Sequence, residues 1–270
     1  MSAFFTWLIS SKHVVAMLIR ITVLIYIVSF AVGLLLINKL MFPAPSLSYS
    51  DSEKILKLSS PAGASIAARL FENPTARHTL LVSHGNGEDL GHGLAFAKDL
   101  QKAGFQVMLY DYPGYGLTSG KPSEKSVYDA AEAAIQELMR RGIKPETILL
   151  YGRSIGSGPS VELATRYPVA GLITEAAFTS IVIVVTKINL FPVDRFRNLK
   201  KIGRVDCPVF IMHGTEDEVI PFSHGEKLFA AANEPKRKRW VEGAGHDDVI
   251  QSAGPEIFAE IKAFADSLKH

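Results

Sequence analysis

Apolar residues are laid out along this chain in two different ways. From Ile21 to Ile37 no charged residue interrupts them, and Val14–Ile19 extends the run across Arg20. Together the two pieces supply about the twenty residues that a helix needs to span a bilayer. Asn38 and Lys39 close the run, and Pro43 and Pro45 prevent a helix from continuing. Beyond Ser52 the pattern changes. Short apolar blocks alternate with longer amphipathic stretches, which predicts strands joined by helices.

Those blocks can be read in order. Lys54–Leu58 and Ser65–Phe71, separated by Pro61-Ala62-Gly63, predict a hairpin at a sheet edge. Strands are predicted at Thr79–Ser83, Phe105–Tyr110, Thr147–Tyr151, Gly171–Glu175, Val209–His213 and Arg239–Val241. Helices are predicted at Gly91–Lys102, Ser123–Arg141, Ser157–Tyr167, Ser223–Ala232 and Pro255–Leu268. Ser123 is suited to cap its helix and Gly142 to stop it. Short apolar strands that alternate with helices predict a mostly parallel sheet covered on both faces. In such a sheet, functional residues belong in loops at the carboxyl ends of strands.

The N-terminal run fits an uncleaved anchor better than two rivals. A cleaved signal peptide has a shorter apolar region and a small-residue cleavage site, and Phe42-Pro43-Ala44 is a poor one. A core helix would carry a polar face. Arg20, near the edge of the run, has a stem long enough to reach the head groups. The expected organisation is a tail at 1–13, a transmembrane anchor at 14–39, a stalk at 40–52 and a domain at 53–270. Lys12, Arg20 and the α-amino group at one end, set against Lys39, Lys54 and Lys57 at the other, lean slightly towards a cytoplasmic N-terminus with the domain on the other side.

Composition narrows the function. The chain has 270 residues, 47% hydrophobic and 21% charged, which is globular rather than disordered. Its mean hydropathy of +0.16 reflects the N-terminal run. A net charge of +2 argues against nucleic acid as a partner. The single cysteine, Cys207, excludes an internal disulfide and any multi-cysteine metal site. No H-x-x-x-H or H-E-x-x-H spacing occurs, so no metal is expected, and nothing calls for a cofactor.

The chemistry sits after three strands. Gly152-Arg153-Ser154-Ile155-Gly156 is G-x-S-x-G between a predicted strand and a predicted helix. A β-carbon at either glycine would strike a neighbouring element, and so tight a turn pushes Ser154 Oγ out above the sheet. Asp217 follows the strand ending at His213, and His246 follows the last strand. A serine hydroxyl needs an imidazole to take its proton, and the imidazole needs a carboxylate to fix its tautomer. Ser154, Asp217 and His246 supply these parts in the order Ser, acid, His. Glu216, Glu218 and above all Glu175 compete for the acid role. The loop His84-Gly85-Asn86-Gly87-Glu88 follows the first parallel strand, so the Asn86 and Ile155 amides are the expected oxyanion donors. His84 reads as a loop histidine bonded to backbone and His213 as a buried one. His78, His92, His224 and His270 read as surface residues. In Asp111–Gly116 plain loop architecture competes with tyrosines that line the substrate path.

From about Ser52 to the end, the chain resembles the α/β-hydrolase superfamily, and most of all its membrane-anchored ABHD-type serine hydrolases. The matching segments are His84-Gly85-Asn86, Asp111–Gly116, Gly152–Gly158, His213–Pro221 and Gly243–Asp247. Thr118, where related loops often carry Ser, departs from the pattern and bears on local hydrogen bonding. The resemblance implies hydrolysis of carboxylic esters or thioesters, often with lipid-like acyl chains. It puts the catalytic roles on Ser154, Asp217 and His246. The long connection between Glu175 and Val209 leaves room for a short cap over 176–208. Its apolar residues, Phe178, Ile181–Val185, Ile188, Leu190 and Phe191, suit either a helix packed on the sheet or an acyl-lining surface. Lys236–Arg239 reads as a solvated turn, with contact to anionic head groups as the rival reading. The expected partners are an acyl substrate and a lipid bilayer. Two other functions stay open: a peptidase or amidase on the same machinery, and a membrane-tethered binding protein without activity.

Overall fold

The computed structural model describes residues 2–52, 54–181 and 195–268, and side chains throughout these except at 2–11 and 32–40. The chain divides into two compact units, Met1–Pro43 and Ala44–His270.

The first unit is one helix, α1 (Ser2–Met41), of 40 residues. Its stretch Lys12–Ala31 has 20 residues and a mean hydropathy of 2.4, and none of it is buried. At about 1.5 Å per residue, that length matches a hydrocarbon layer of about 30 Å. By length and composition the helix can cross a membrane, although a signal sequence near the N-terminus meets the same test. The helix ends just before Phe42, whose helical conformation is disfavoured by the following Pro43.

The second unit is built on eight strands. They are β1 (Leu56–Ser59), β2 (Ser65–Phe71), β3 (Thr79–Ser83), β4 (Gln106–Tyr110), β5 (Ile148–Arg153), β6 (Gly171–Glu175), β7 (Val209–Gly214) and β8 (Lys236–Val241). Their spatial order is β1-β2-β4-β3-β5-β6-β7-β8. The β1–β2 and β2–β4 pairs are antiparallel, and every pair from β4 to β8 is parallel. β3 and β6 are buried along their whole length, as strands covered on both faces must be.

Helices cover the sheet: α2 (Leu94–Lys102), α3 (Glu124–Arg140), α4 (Ser157–Ala164), α5 (Asn198–Ile202), α6 (Ser223–Ala231), α7 (Val249–Ala253) and α8 (Glu256–Asp266). Leu80, Val82, Val107, Leu109, Leu149, Tyr151, Ile173 and Phe210 pack on one face with Ala97 and Leu100 of α2 and Ile257, Ile261 and Phe264 of α8. These strand positions recur at every second residue, so Leu81, Met108 and Leu150 turn to the other face, where α3 and α4 touch β3 and β4. α3 begins as expected, with a Ser123 side chain that accepts the Ser126 amide while Ser126 Oγ accepts the Ser123 amide.

Two expectations need correction. β8 starts at Lys236, so Lys236–Arg239 is strand and not turn. An outermost strand tolerates charge, and lysines there guard an open edge. Their ammonium groups also stand over aromatic rings, Lys236 and Lys238 over Phe229 and Lys238 over Trp240. The short helix α7 has too few residues to announce itself by periodicity. Residues 44–52 lie in the larger unit, where Ser48 hydrogen-bonds Asp89 and Tyr49 hydrogen-bonds Asp111. His78 and His224 are buried, and His224 Nδ1 bonds the backbone N–H of Thr179 at 3.1 Å. Most of the apolar run of the expected cap lies at 182–194, outside the described residues; Ile181 and Phe178 are described and buried.

The tight β5–α4 turn gives a first test. A β-carbon on Gly156 would overlap the Ser83 carbonyl oxygen and stand 2.8 Å from that of His84. Gly156→Ala is therefore expected to cost about 3 kcal/mol or more, read as a lower urea midpoint with an unchanged slope. A midpoint equal to that of the parent would show that β3 can yield there.

Candidate active site

β5 delivers the chain into a one-turn helix at Ser154–Gly156 and then into α4. Ser154 has φ +50°, a left-handed conformation that costs a non-glycine residue about 1–2 kcal/mol. Gly152 is required by the same turn, since a β-carbon there would come within 2.5 Å of the Gly156 carbonyl oxygen. The strain lifts Ser154 Oγ to the end of the sheet.

Two other loops meet it. His246 Nε2 lies 3.0 Å from Ser154 Oγ, and His246 Nδ1 lies 2.8 Å from Asp217 Oδ2. The second carboxylate oxygen of Asp217 accepts the N–H groups of Val219 at 2.9 Å and Ile220 at 2.7 Å. An ionised carboxylate only accepts, so Nδ1 carries the proton and Nε2 is free to accept from the serine hydroxyl. Burial opposes ionisation of Asp217, but hydrogen bonds from His213, His246 and the Ile220 amide outweigh it and hold the carboxyl well below the usual range. His213, wholly buried, bonds the Ile220 carbonyl oxygen through Nε2 at 2.8 Å. The competing acid Glu175 faces elsewhere: Tyr151 donates to it, and Arg153 Nε stands 3.5 Å away. Burial raises the Glu175 carboxyl against the pull of Arg153.

The expected oxyanion loop packs on this turn. His84 Nδ1 bonds the Gly85 carbonyl oxygen at 2.7 Å, and burial pushes its imidazole down to about 4. The His84 carbonyl oxygen accepts from Tyr112, and Asn86 Oδ1 accepts from Tyr115 at 2.9 Å. Both tyrosines are buried and brace the loop rather than line a path. Ile155 is buried directly after Ser154, and the departure at Thr118 is harmless, because its hydroxyl accepts the Ala67 amide at 2.8 Å.

Sequence reasoning missed one group entirely. The Arg153 guanidinium pairs with Glu88, with Asp247 at 3.1 Å and more loosely with Glu175. It thereby ties the loop after β3, the serine turn and the histidine loop together. Arg153 occupies a variable position of its motif, so nothing in the sequence marked it. These residues border a cavity of about 570 Å³ whose apolar walls include Phe96, Ile250 and Phe258. The cavity abuts the three loops from the α2 and α8 side, and the serine itself is not part of its lining. Among the described residues no group of three His, Cys, Asp or Glu side chains is placed to hold a metal.

The fold and these motifs have known counterparts. Residues 74–196 match the family described as "Serine aminopeptidase, S33". The chain is 48% identical over 182 residues to human alpha/beta hydrolase domain-containing protein 17B, covering 66% of this chain and 63% of that protein. It is 45% identical over 181 residues to the mouse 17C protein, covering 65% and 56%. An esterase from Pyrococcus furiosus superposes with a TM-score of 0.71 at 15% identity, over 83% of this chain and 99% of the esterase. The chain has the α/β-hydrolase fold. In sequence it is similar to ABHD-type proteins, and it spans less than two thirds of the length of these curated relatives. The esterase domain of a Rhodothermus marinus protein shares the same α/β-hydrolase fold, with a TM-score of 0.63 at 20% identity over 80% of this chain and 98% of that one.

Proposed function

We propose that this α/β-hydrolase is a membrane-anchored serine hydrolase that cleaves carboxylic esters or thioesters of lipid-like acyl groups through an acyl-enzyme. One observation carries the reading: Ser154, His246 and Asp217 stand in an unbroken hydrogen-bonded line, with separations of 3.0 and 2.8 Å. His246 Nε2 takes the proton of Ser154 as Oγ attacks the substrate carbonyl carbon. Asp217 holds the imidazole in place and offsets the charge it gains. The Asn86 and Ile155 amides receive the negative oxygen of the tetrahedral intermediate. Collapse expels the alcohol or thiol, which leaves with the proton from His246. A water molecule then repeats the sequence on the acyl-serine and releases the acid. The apolar α1 supports membrane attachment and presentation of substrates that partition into lipid.

The test is a series of acyl esters and thioesters of increasing chain length, with matched anilides, on the full chain in liposomes. Esters and thioesters are expected to lead in kcat/KM, with longer chains favoured. The rate should fall in acid, since a protonated imidazole cannot take the serine proton. A flat pH profile would count against His246. The matched family description names a serine aminopeptidase, so amide cleavage is the second reading, and anilides leading the panel would establish it.

A further inference from the structure

The segment that follows the apolar helix is held against the loops that border the serine turn. Ser48 gives both its backbone N–H, at 2.8 Å, and its hydroxyl to Asp89. The Tyr49 hydroxyl donates to Asp111 at 2.5 Å and accepts the Leu117 amide at 3.0 Å. Asp89 and Asp111 are both wholly buried. A charge so placed stays only where hydrogen bonds replace its water, so each carboxylate depends on these partners.

The two carboxylates belong to different loops. Asp89 lies in the loop that follows β3 and carries Asn86; its oxygens also take the Gly91 amide at 3.1 Å and pair with His92. Asp111 lies in the loop that follows β4, and its other oxygen takes the Leu90 amide at 2.6 Å. Tyr112 and Tyr115 of this second loop bond His84 and Asn86 of the first. Adjacent residues of one segment thus join both loops from outside. The chain has made room for this: a β-carbon on Gly91 would overlap Ser48, and one on Gly116 would stand 2.7 Å from the Tyr49 hydroxyl.

We propose that Ser48 and Tyr49 are positioning residues that set the Asn86 amide for the oxyanion, so that the segment joining α1 to the domain is a working part of the active site. This rests on the serine-hydrolase reading above. The segment makes no contact with the reacting atoms. It acts by fixing the loop whose N–H must point at a charge that exists only in the transition state, where a misplacement of about 1 Å can cost a hundredfold in rate.

The experiment compares Ser48→Ala, Tyr49→Phe and their double variant with Ser48→Thr, which keeps the hydroxyl, and with Leu47→Ala on the exposed neighbour. All are made in the full-length protein. The double variant is expected to lower kcat by about 30-fold with KM changed less than about twofold. Its affinity for a trifluoromethyl ketone, which forms a tetrahedral adduct, should fall by the same factor, and Ser48→Thr should restore most of the loss. Amide hydrogen exchange should quicken over residues 84–92 and stay as in the parent over α3. A merely structural strap would lower the unfolding midpoint and leave the kcat of the folded fraction alone, which overturns the proposal. Unchanged exchange over 84–92 overturns it as well, with or without activity. Should the parent fail to react with a fluorophosphonate while exchange over 84–92 still responds, the hydrolase reading fails and the hold of the segment on the loop stands.

Discussion

Ser154→Ala is expected to lower kcat by about 10⁶ and to abolish labelling by a fluorophosphonate, with the fold intact. The effect is this large because the residues of such a line act as a unit. Without the hydroxyl, His246 has no proton to take from a nucleophile and Asp217 orients an idle ring. The structural cost is small. Alanine keeps the β-carbon that the left-handed turn already tolerates at φ +50°, and it loses only the contact to His246 Nε2. The thermal midpoint should therefore stay near that of the parent. Residual activity within tenfold of the parent would remove Ser154 from the mechanism. Activity lost together with the fold would test only the turn.

Asp217→Asn is expected to lower kcat by about 10⁴. The size and the packing of the side chain are kept, so the cause is the proton arrangement. The parent carboxylate accepts two backbone N–H groups on one oxygen and the imidazole on the other. If asparagine keeps its oxygen on the Val219 and Ile220 amides, its NH₂ faces His246 Nδ1. The ring then carries its proton on Nε2 and can no longer accept from Ser154. The same substitution should alter the response to acid. In the parent, the folded carboxyl lies below its ordinary value. Its contribution to stability is therefore fully present above about pH 4, and it is lost as pH falls through the folded value. Urea midpoints measured from neutrality down into acid should fall less steeply in Asp217→Asn than in the parent. Equal slopes would mean that the native carboxyl is not held ionised, and a kcat within tenfold of the parent would transfer the acid role elsewhere.

What the sequence disclosed follows the physics of each element. β3, β5, β6 and β7 are buried on both faces, so they appear as unbroken apolar runs and were legible to within a residue or two. Ser154, Asp217 and His246 were legible because each follows a strand in a glycine-marked loop, and glycines at such loops report close backbone approach. Gly214, for example, leaves no room for a β-carbon beside the Ala244 carbonyl. Lys236–Arg239 was misread because charge hides a strand that lies at the sheet margin and buries only its end. Arg153, Ser48 and Tyr49 left no trace, because their meaning lies in partners far away in sequence. Arg153 meets Glu88 and Asp247 across separations of 65 and 94 residues, and Tyr49 meets Asp111 across 62. Hydropathy patterns report which face is buried, and they are silent about which distant side chain waits there.

The last strand has a further bearing on how such a protein fails. β8 closes the sheet order, pairs with β7, and is followed directly by the loop that bears His246. Marginal strands open more readily than central ones, by fluctuations that leave the rest of the molecule intact. Fraying of that border would carry the imidazole away from Ser154, still seated at the middle of the sheet. Loss of turnover on warming would then register the health of one hem of the fabric well before the whole cloth gives way.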